Sequence, residues 1–359
     1  MLRFSFALLA ACASNLALAT PAYTLTPMGD LGGAYSIAFG MNDSGQLVGL
    51  SSNQDYVSRA ALFAGGVASD LGTLGGSYSQ ALGINNLGQA VGNAYLSGNH
   101  GNHAALYSNG AVTDLGTLGG TDSFAYGING AGQVVGYANT TAGAATHAFL
   151  YANGSMSDLG TLGGGYSEAH AINDSGVVVG FSDTTNNAST HAFLYSNGVM
   201  SDLGTLGGTI SYANAISNNN LVVGFSGVTG NAATHAMAYS NGSMSDLGTL
   251  GGSNSRAYGV NDLGQIVGFA SIAGNAAQHG FLYDSGSMYD LNSLLASAGG
   301  WTIMEAYDIN ASGQIAALGY RSGVGYQALL LSPVPEPAGA PMLLTGLAVL
   351  AGVVLRRRA

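Results

Sequence analysis

Along most of the chain, short apolar runs alternate with clusters of glycine, asparagine and aspartate, and the alternation returns every 44 residues. In the most regular stretch the runs are Ser167 to Asn173, Gly176 to Ser182, His191 to Tyr195 and Val199 to Leu203. Each has strand length and is bounded by turn residues, the second with a Val-rich core, so four strands are predicted per repeat. The N-x-x-G between the first two suits a tight turn with a left-handed glycine, and Asn197-Gly198 between the last two favours a type I′ hairpin. Asn109-Gly110, Asn153-Gly154 and Asn241-Gly242 repeat the device.

Two anchors fix the count. D-L-G-T-L-G-G begins at Asp70, Asp114, Asp158, Asp202 and Asp246, with degenerate copies at Asp30 and Asp290; N-x-x-G begins at Asn42, Asn85, Asn129, Asn173, Asn261 and Asn310, with Ser217 standing in once. Four strands in 44 residues is the size of one propeller blade, and the anchors predict an all-β, seven-bladed β-propeller over residues 20–332. The first residues supply a lone fourth strand, Tyr23 to Leu31, and the last repeat stops after a third, Tyr326 to Leu331. The N-terminal strand is therefore expected to complete the last blade and remove the edges an open array would expose. The alternative is a β-solenoid. In a ring, the D-L-G-T-L-G-G passages and longer loops such as 138–146 and 183–190 share the rim expected to meet ligands.

Composition removes several function classes. The 359 residues are 47% apolar, enough for a large core, and the 58 glycines fall at fixed places in the repeat. There is no lysine, and between Thr20 and Pro333 only Arg59, Arg256 and Arg321 stand against 17 acidic residues. A surface this acidic argues against nucleic-acid partners.

The termini read as targeting segments. Residues 1–19 have Arg3, an apolar run from Phe4 and Ala17-Leu18-Ala19 before Thr20, the form of a secretory signal peptide cut between Ala19 and Thr20 by signal peptidase. The single cysteine, Cys12, is lost with it, so the exported chain has no thiol chemistry. Leu9-Ala10-Ala11-Cys12 offers a lipoprotein cleavage site as the rival reading. At the other end, residues 333–359 contain Val334-Pro335-Glu336-Pro337, an uncharged stretch over residues 338–355, and Arg356, Arg357 and Arg358. Eighteen helical residues at about 1.5 Å each just span a bilayer, with the arginines on the cytoplasmic side and the rest outside. A buried C-terminal helix is the alternative, one that leaves three arginines without acidic partners nearby.

This tail resembles the PEP-CTERM sorting signal of Gram-negative bacteria. The resemblance implies processing by an exosortase, transient anchoring in the inner membrane, and delivery to the surface of an organism that makes exopolysaccharide. The repeats resemble the HAF repeat of extracellular bacterial proteins, through triplets such as His147-Ala148-Phe149 and His191-Ala192-Phe193. The first and last units depart from it with Arg59-Ala60-Ala61 and Gln327-Ala328-Leu329.

Five repeats place a histidine 11 residues before an aspartate: His103 and Asp114, His147 and Asp158, His191 and Asp202, His235 and Asp246, His279 and Asp290. An Asn-Gly turn sets Phe149 opposite Asp158 and His147 one diagonal step away. Two ligands are too few for zinc, and a fivefold acid-base dyad has no obvious use, so these pairs are expected to be structural. No metal or cofactor is expected, and turn-making accounts for the N-D-x-G sequences without calcium.

The first strand carries the candidate recognition positions. In the frame S-x-A-x-x-I-N, the second position holds Ile37, Gln80, Phe124, Glu168, Tyr212, Arg256 and Glu305, and the fourth Phe39, Leu82, Tyr126, His170, Asn214, Tyr258 and Tyr307. These vary where the frame does not, and they share one strand face. Glu168, His170, Tyr212, Arg256, Tyr258 and Glu305 are the candidate ligand residues, tyrosines stacking on sugar rings and charged groups making polar contacts; packing between blades is the competing reading. Known catalytic signatures are missing. The leading expectation is a non-enzymatic surface or matrix module that binds polysaccharide. One alternative is a glycan-cleaving enzyme in which Glu168 converges with Glu305 or Asp308; another is a passive filler of the surface layer.

Overall fold

A computed structural model describes residues 22–143 and 145–335. The signal segment with Ala19 and Thr20, and the tail with Glu336, Pro337, the apolar stretch and Arg356, Arg357 and Arg358, lie outside the described residues. Among those described, no helix is long and apolar enough to cross a membrane.

The unit of residues 163–202 shows the pattern. Its strands run Gly163–Ile172, Val178–Thr184, Thr190–Ser196 and Val199–Asp202, each antiparallel to the one before. Gly176 takes φ 78°, and Asn197 and Gly198 take 52° and 81°, the left-handed conformations the two turns demand. The first strand begins four residues earlier than the sequence pattern suggests, because the terminal Gly-Gly of D-L-G-T-L-G-G already pairs, Gly163 with Thr184.

The same four-strand order recurs in residues 32–70, 75–114, 119–158, 207–246 and 251–290. Three consecutive units, from 119 to 246, join edge to edge through single parallel contacts, Thr146 with Tyr166 and Thr190 with Ile210. The remaining sheet is composite. Trp301–Ile309, Ile315–Arg321 and Gly325–Pro333 come from the end of the chain and Tyr23–Pro27 from its start, Tyr23 pairing with Pro333 and Pro27 with Leu329. The opening strand thus stops at Pro27, short of Leu31. A rod cannot bring its first and last strands together, which removes the solenoid alternative.

The core lies between units. Val135 and Ala148 of one unit pack with Ala169, Ile172, Val178 and Phe193 of the next, and all are buried. Each buried phenylalanine stabilises its seam by about 1.5–3 kcal/mol. The triplet explains itself here. Ala148 is fully buried, and its N–H donates to Ser167 Oγ of the next unit at 2.8 Å while Ser167 Oγ donates to Gly160 O. Ser36 makes the same staple across the termini, accepting from Ala328 N and donating to Gly29 O. The second-strand glycine is equally constrained: a Cβ on Gly180 would lie 1.9 Å from the Glu168 carbonyl oxygen.

The N-x-x-G turns meet around one axis. Asn42 Nδ2 donates to Asn85 O, Asn85 to Asn129 O, Asn129 to Asn173 O and Asn173 to Ser217 O; Asn261 donates to Asn310 O, and Asn310 returns to Asn42 O. Each asparagine Oδ1 also caps its own turn, as Asn173 does by accepting from Ser175 N and Val177 N. At the Ser217 gap, Asn219 Nδ2 donates to Asp262 O instead.

Candidate functional site: the central funnel

The first strands surround a common cavity in two chambers. The lower, about 260 Å³, is lined by the N-x-x-G turns. The upper, about 460 Å³, is lined by Phe39, Leu82, Tyr126, His170, Asn214, Tyr258 and Tyr307, together with Asp308. Ile84, Ile128, Ile172, Ile216 and Val260 border both and form an apolar waist between them. The upper chamber is therefore a funnel with an aliphatic floor and largely aromatic walls.

A β-bulge aims the wall residues inward. Glu168 pairs with Phe181 and Ala169 with Gly180, but the next pair is Ala171 with Val179, so His170 is the extra residue. The same irregularity falls at Phe39, Leu82, Tyr126, Asn214, Tyr258 and Tyr307. A bulge re-aims a side chain that the ladder would otherwise hold flat. The residue after it must be small where the next unit's bulge crowds it: a Cβ on Gly83 would sit 2.6 Å from Tyr126 O. The recurring glycine or alanine at this position was the available sequence signal, and strand periodicity alone does not reveal it.

The candidate positions divide into two layers. His170 and Tyr258 line the funnel, whereas Glu168, Tyr212, Arg256 and Glu305 do not. Tyr212 lies between Phe181 of the preceding unit, 4.4 Å between ring centroids, and Phe225 of its own, 4.6 Å. The Arg256 guanidinium lies 4.3 Å from the centre of the Phe225 ring. These second positions pack at the seams, and the fourth positions face the open space.

The two glutamates support the wall from behind. Glu168, 8% exposed, accepts from the Tyr166 hydroxyl, and its Oε2 lies 3.2 Å from His170 Nε2. Tyr126 of the preceding unit packs against His170 at 4.7 Å with the rings tilted by 45°. The Glu305 charge acts on Tyr307, whose ring stacks on Tyr258 at 5.4 Å and 12°. Burial and then the Glu168 charge raise the Tyr126 hydroxyl pKa well above its ordinary value; burial and the Glu305 charge raise that of Tyr307 likewise, and that of Tyr258 to about 12. No described cavity is lined by Glu168 together with Glu305 or Asp308.

Asp308 breaks the small-residue rule at the fifth position. Its Oδ2 accepts from Met41 N and its Oδ1 from Ile309 N, each at 2.8 Å. Desolvation outweighs both hydrogen bonds and pushes the carboxyl up to about 7.

The histidine-aspartate pairs lie away from the funnel. His147 Nδ1 is 2.8 Å from Asp158 Oδ2, and the pairs of His103 with Asp114, His191 with Asp202, His235 with Asp246 and His279 with Asp290 span 2.7–2.9 Å. Asp158 Oδ1 also accepts from Gly160 N, closing the D-L-G turn. In the last unit Gln327 replaces the histidine and donates to Asp30 Oδ2 at 3.3 Å, although 297 residues separate the two. Among the described residues, no cluster of three or more potential metal ligands occurs.

No protein-family model matches the chain, and no curated protein does. Solved structures resemble it at low identity. A puromycin-hydrolyzing peptidase of Mycobacterium tuberculosis aligns at TM-score 0.56 and 10% identity, over 88% of this chain and 56% of its own. The β-propeller domain of the Trilobed protease from Pyrococcus furiosus, which has an open velcro topology, aligns at 0.51 and 7%, over 84% and 98%. TolB from Acinetobacter baumannii gives 0.46 and 11%, over 81% of this chain and 64% of its own. The chain thus spans less than two thirds of two of these three. The likeness extends to the fold, and the four-stranded sheets of this protein form a β-propeller.

Proposed function

We propose that this protein is a closed, seven-bladed propeller of the HAF-repeat kind, exported by its N-terminal segment and sorted by a PEP-CTERM tail. There it works as a non-enzymatic binding module for extracellular polysaccharide, with the funnel as its site. Signal peptidase and an exosortase are its processing partners, and the inner membrane holds it before processing. The observation that carries the binding reading is the set of diversified fourth-position side chains, Tyr126, His170, Asn214, Tyr258 and Tyr307 among them, gathered on the wall of one funnel. Aromatic faces with a few convergent polar groups are what a sugar ring needs. The antiparallel pairing of Tyr23 with Pro333 supports ring closure. The glycan-cleaving alternative has less support, since no described cavity is lined by Glu168 together with Glu305 or Asp308.

The test is binding of the full chain to the producing organism's extracellular polysaccharide, beside Tyr126→Ala and Tyr258→Ala. Either variant should weaken binding at least about tenfold, the scale of losing one stacking face with its buried area. Binding unchanged in both would remove the funnel from the reading. For export, a mature N-terminus at Thr20 and retention of the tail in an exosortase-deficient strain are expected; a cytoplasmic chain beginning at Met1 would overturn that part.

A further inference from the structure

We propose that the funnel selects a saccharide unit bearing a free, protonated amine over neutral and acidic sugars, an inference that rests on the funnel being the binding site. Three independent features of the wall point the same way. The first is its π surface: Tyr258 and Tyr307 stack at 5.4 Å, and Phe39 meets Tyr307 edge-on at 5.3 Å, so ring faces and edges crowd one side of the chamber. Ring faces attract cations, most strongly where water is excluded.

The second is charge. Asp308, about half ionised near pH 7, lies on the wall itself, Glu168 contacts His170 from outside the funnel lining, and the Glu305 charge acts on Tyr307. Among the described residues no arginine lines the funnel: Arg256 stacks on Phe225, where its charge partly offsets the acids by acting on Tyr258, and Arg321 lies over Trp301 at 5.6 Å beside a different cavity. An acidic sugar would enter a field of its own sign, and an ammonium group would enter an attractive one.

The third is hydrogen-bond polarity. Asn214 spends its Nδ2 on Ala257 O at 2.8 Å, and its Oδ1, 3.4 Å from His170 Nδ1, keeps a second lone pair for a ligand. Asn214 Oδ1 and the Asp308 carboxyl oxygens are acceptors on this wall, and an ammonium with three N–H bonds suits them.

The experiment titrates the full chain, near neutral pH and at low salt, with three oligosaccharides of equal length: a glucosamine oligomer, its N-acetylated counterpart and a uronic-acid oligomer. The amine form should bind about tenfold or more tighter than the N-acetylated form, a difference of about 1.4 kcal/mol, and the uronic form weakest. Asp308→Asn and Glu168→Gln, each confirmed folded at the assay temperature, should shrink the preference to about threefold or less, and added salt should erode it in the intact protein. Equal or tighter binding of the N-acetylated or uronic oligomer would overturn the selectivity and leave the funnel as the site. Binding by none of the three would overturn both.

Discussion

The Asp308 carboxylate accepts the backbone N–H of Met41 at 2.8 Å, across 267 residues of sequence and the seam between the last unit and the first. Elsewhere the equivalent position is glycine or alanine, so the carboxyl occurs only where the chain's two ends meet. Burial dominates its environment, with Asp43 adding a smaller push in the same direction, and the folded carboxyl titrates at about 7 against 3.8 when unfolded. Because the folded pKa is the higher one, the proton binds the folded state more tightly. This contribution is complete below about 3.8 and is lost as pH rises through about 7. Thermal melts should therefore show lower stability at pH 8 than at pH 6, with Asp308→Asn removing most of that slope. An unchanged slope in the variant would assign the pH dependence to other groups.

Glycines in this chain differ in what they tolerate. A Cβ on Gly180 would collide with Glu168 O at 1.9 Å inside a paired ladder, so Gly180→Ala is expected to cost at least the upper end of about 1–3 kcal/mol and to broaden the melt. Gly198 has φ 81° with nothing within 4 Å of such a Cβ, so Gly198→Ala is strained only by its backbone, by about 1 kcal/mol. Denaturant titrations of the two variants should separate them clearly; similar losses would contradict the close approach.

Much of this fold is written in the spacing of residues. Strand-length runs, Asn197-Gly198 and the orphan strands at the ends of the repeat array are local signals with one geometrical solution each, and Tyr23 does pair with Pro333. The site was half legible. Substitution within a constant frame marked the variable positions, and alternation correctly put Glu168 beside His170. Alternation could not separate them into seam and funnel, because the bulge that inserts His170 depends on how closely the next unit's backbone approaches. Asp308 escaped notice as a positional anomaly for the same reason: its role depends on Met41, which proximity in sequence cannot supply. The purpose of Asn173 likewise emerges only when Ser217 O is found 3.2 Å from its amide.

The histidine-aspartate pairs should behave as surface fasteners. Asp158 keeps 43% of its side-chain exposure, so solvent screens the pair, and a double-mutant cycle with His147→Ala and Asp158→Ala is expected to return a coupling of about 0.2–1 kcal/mol. Asp158→Ala alone should cost more than His147→Ala alone, since it also frees Gly160 N. His147→Gln should recover part of the loss, as Gln327 fills this place beside Asp30. Failure of glutamine to recover any stability would argue that the imidazole does more than donate a hydrogen bond.

Closure of the ring can be tested by taking its fastener away. Tyr23 is 1% exposed and packs in the cluster of Val267, Leu291, Trp301 and Leu329, and the Tyr23–Pro27 strand covers the edge of Gly325–Pro333. Deleting residues 22–28 should expose that edge and remove both Tyr23 and Met28 from buried sites, a combined loss of about 4 kcal/mol or more. The truncated chain is expected to melt earlier and to associate through the open edge, visible as a concentration-dependent shift in size-exclusion elution. A synthetic peptide of residues 22–31 should restore both the melt and the monomer position, because the edge pairs with any strand of matching register and pockets. A truncated chain that melts with the intact one and stays monomeric would show that the blades hold together without the N-terminal strand.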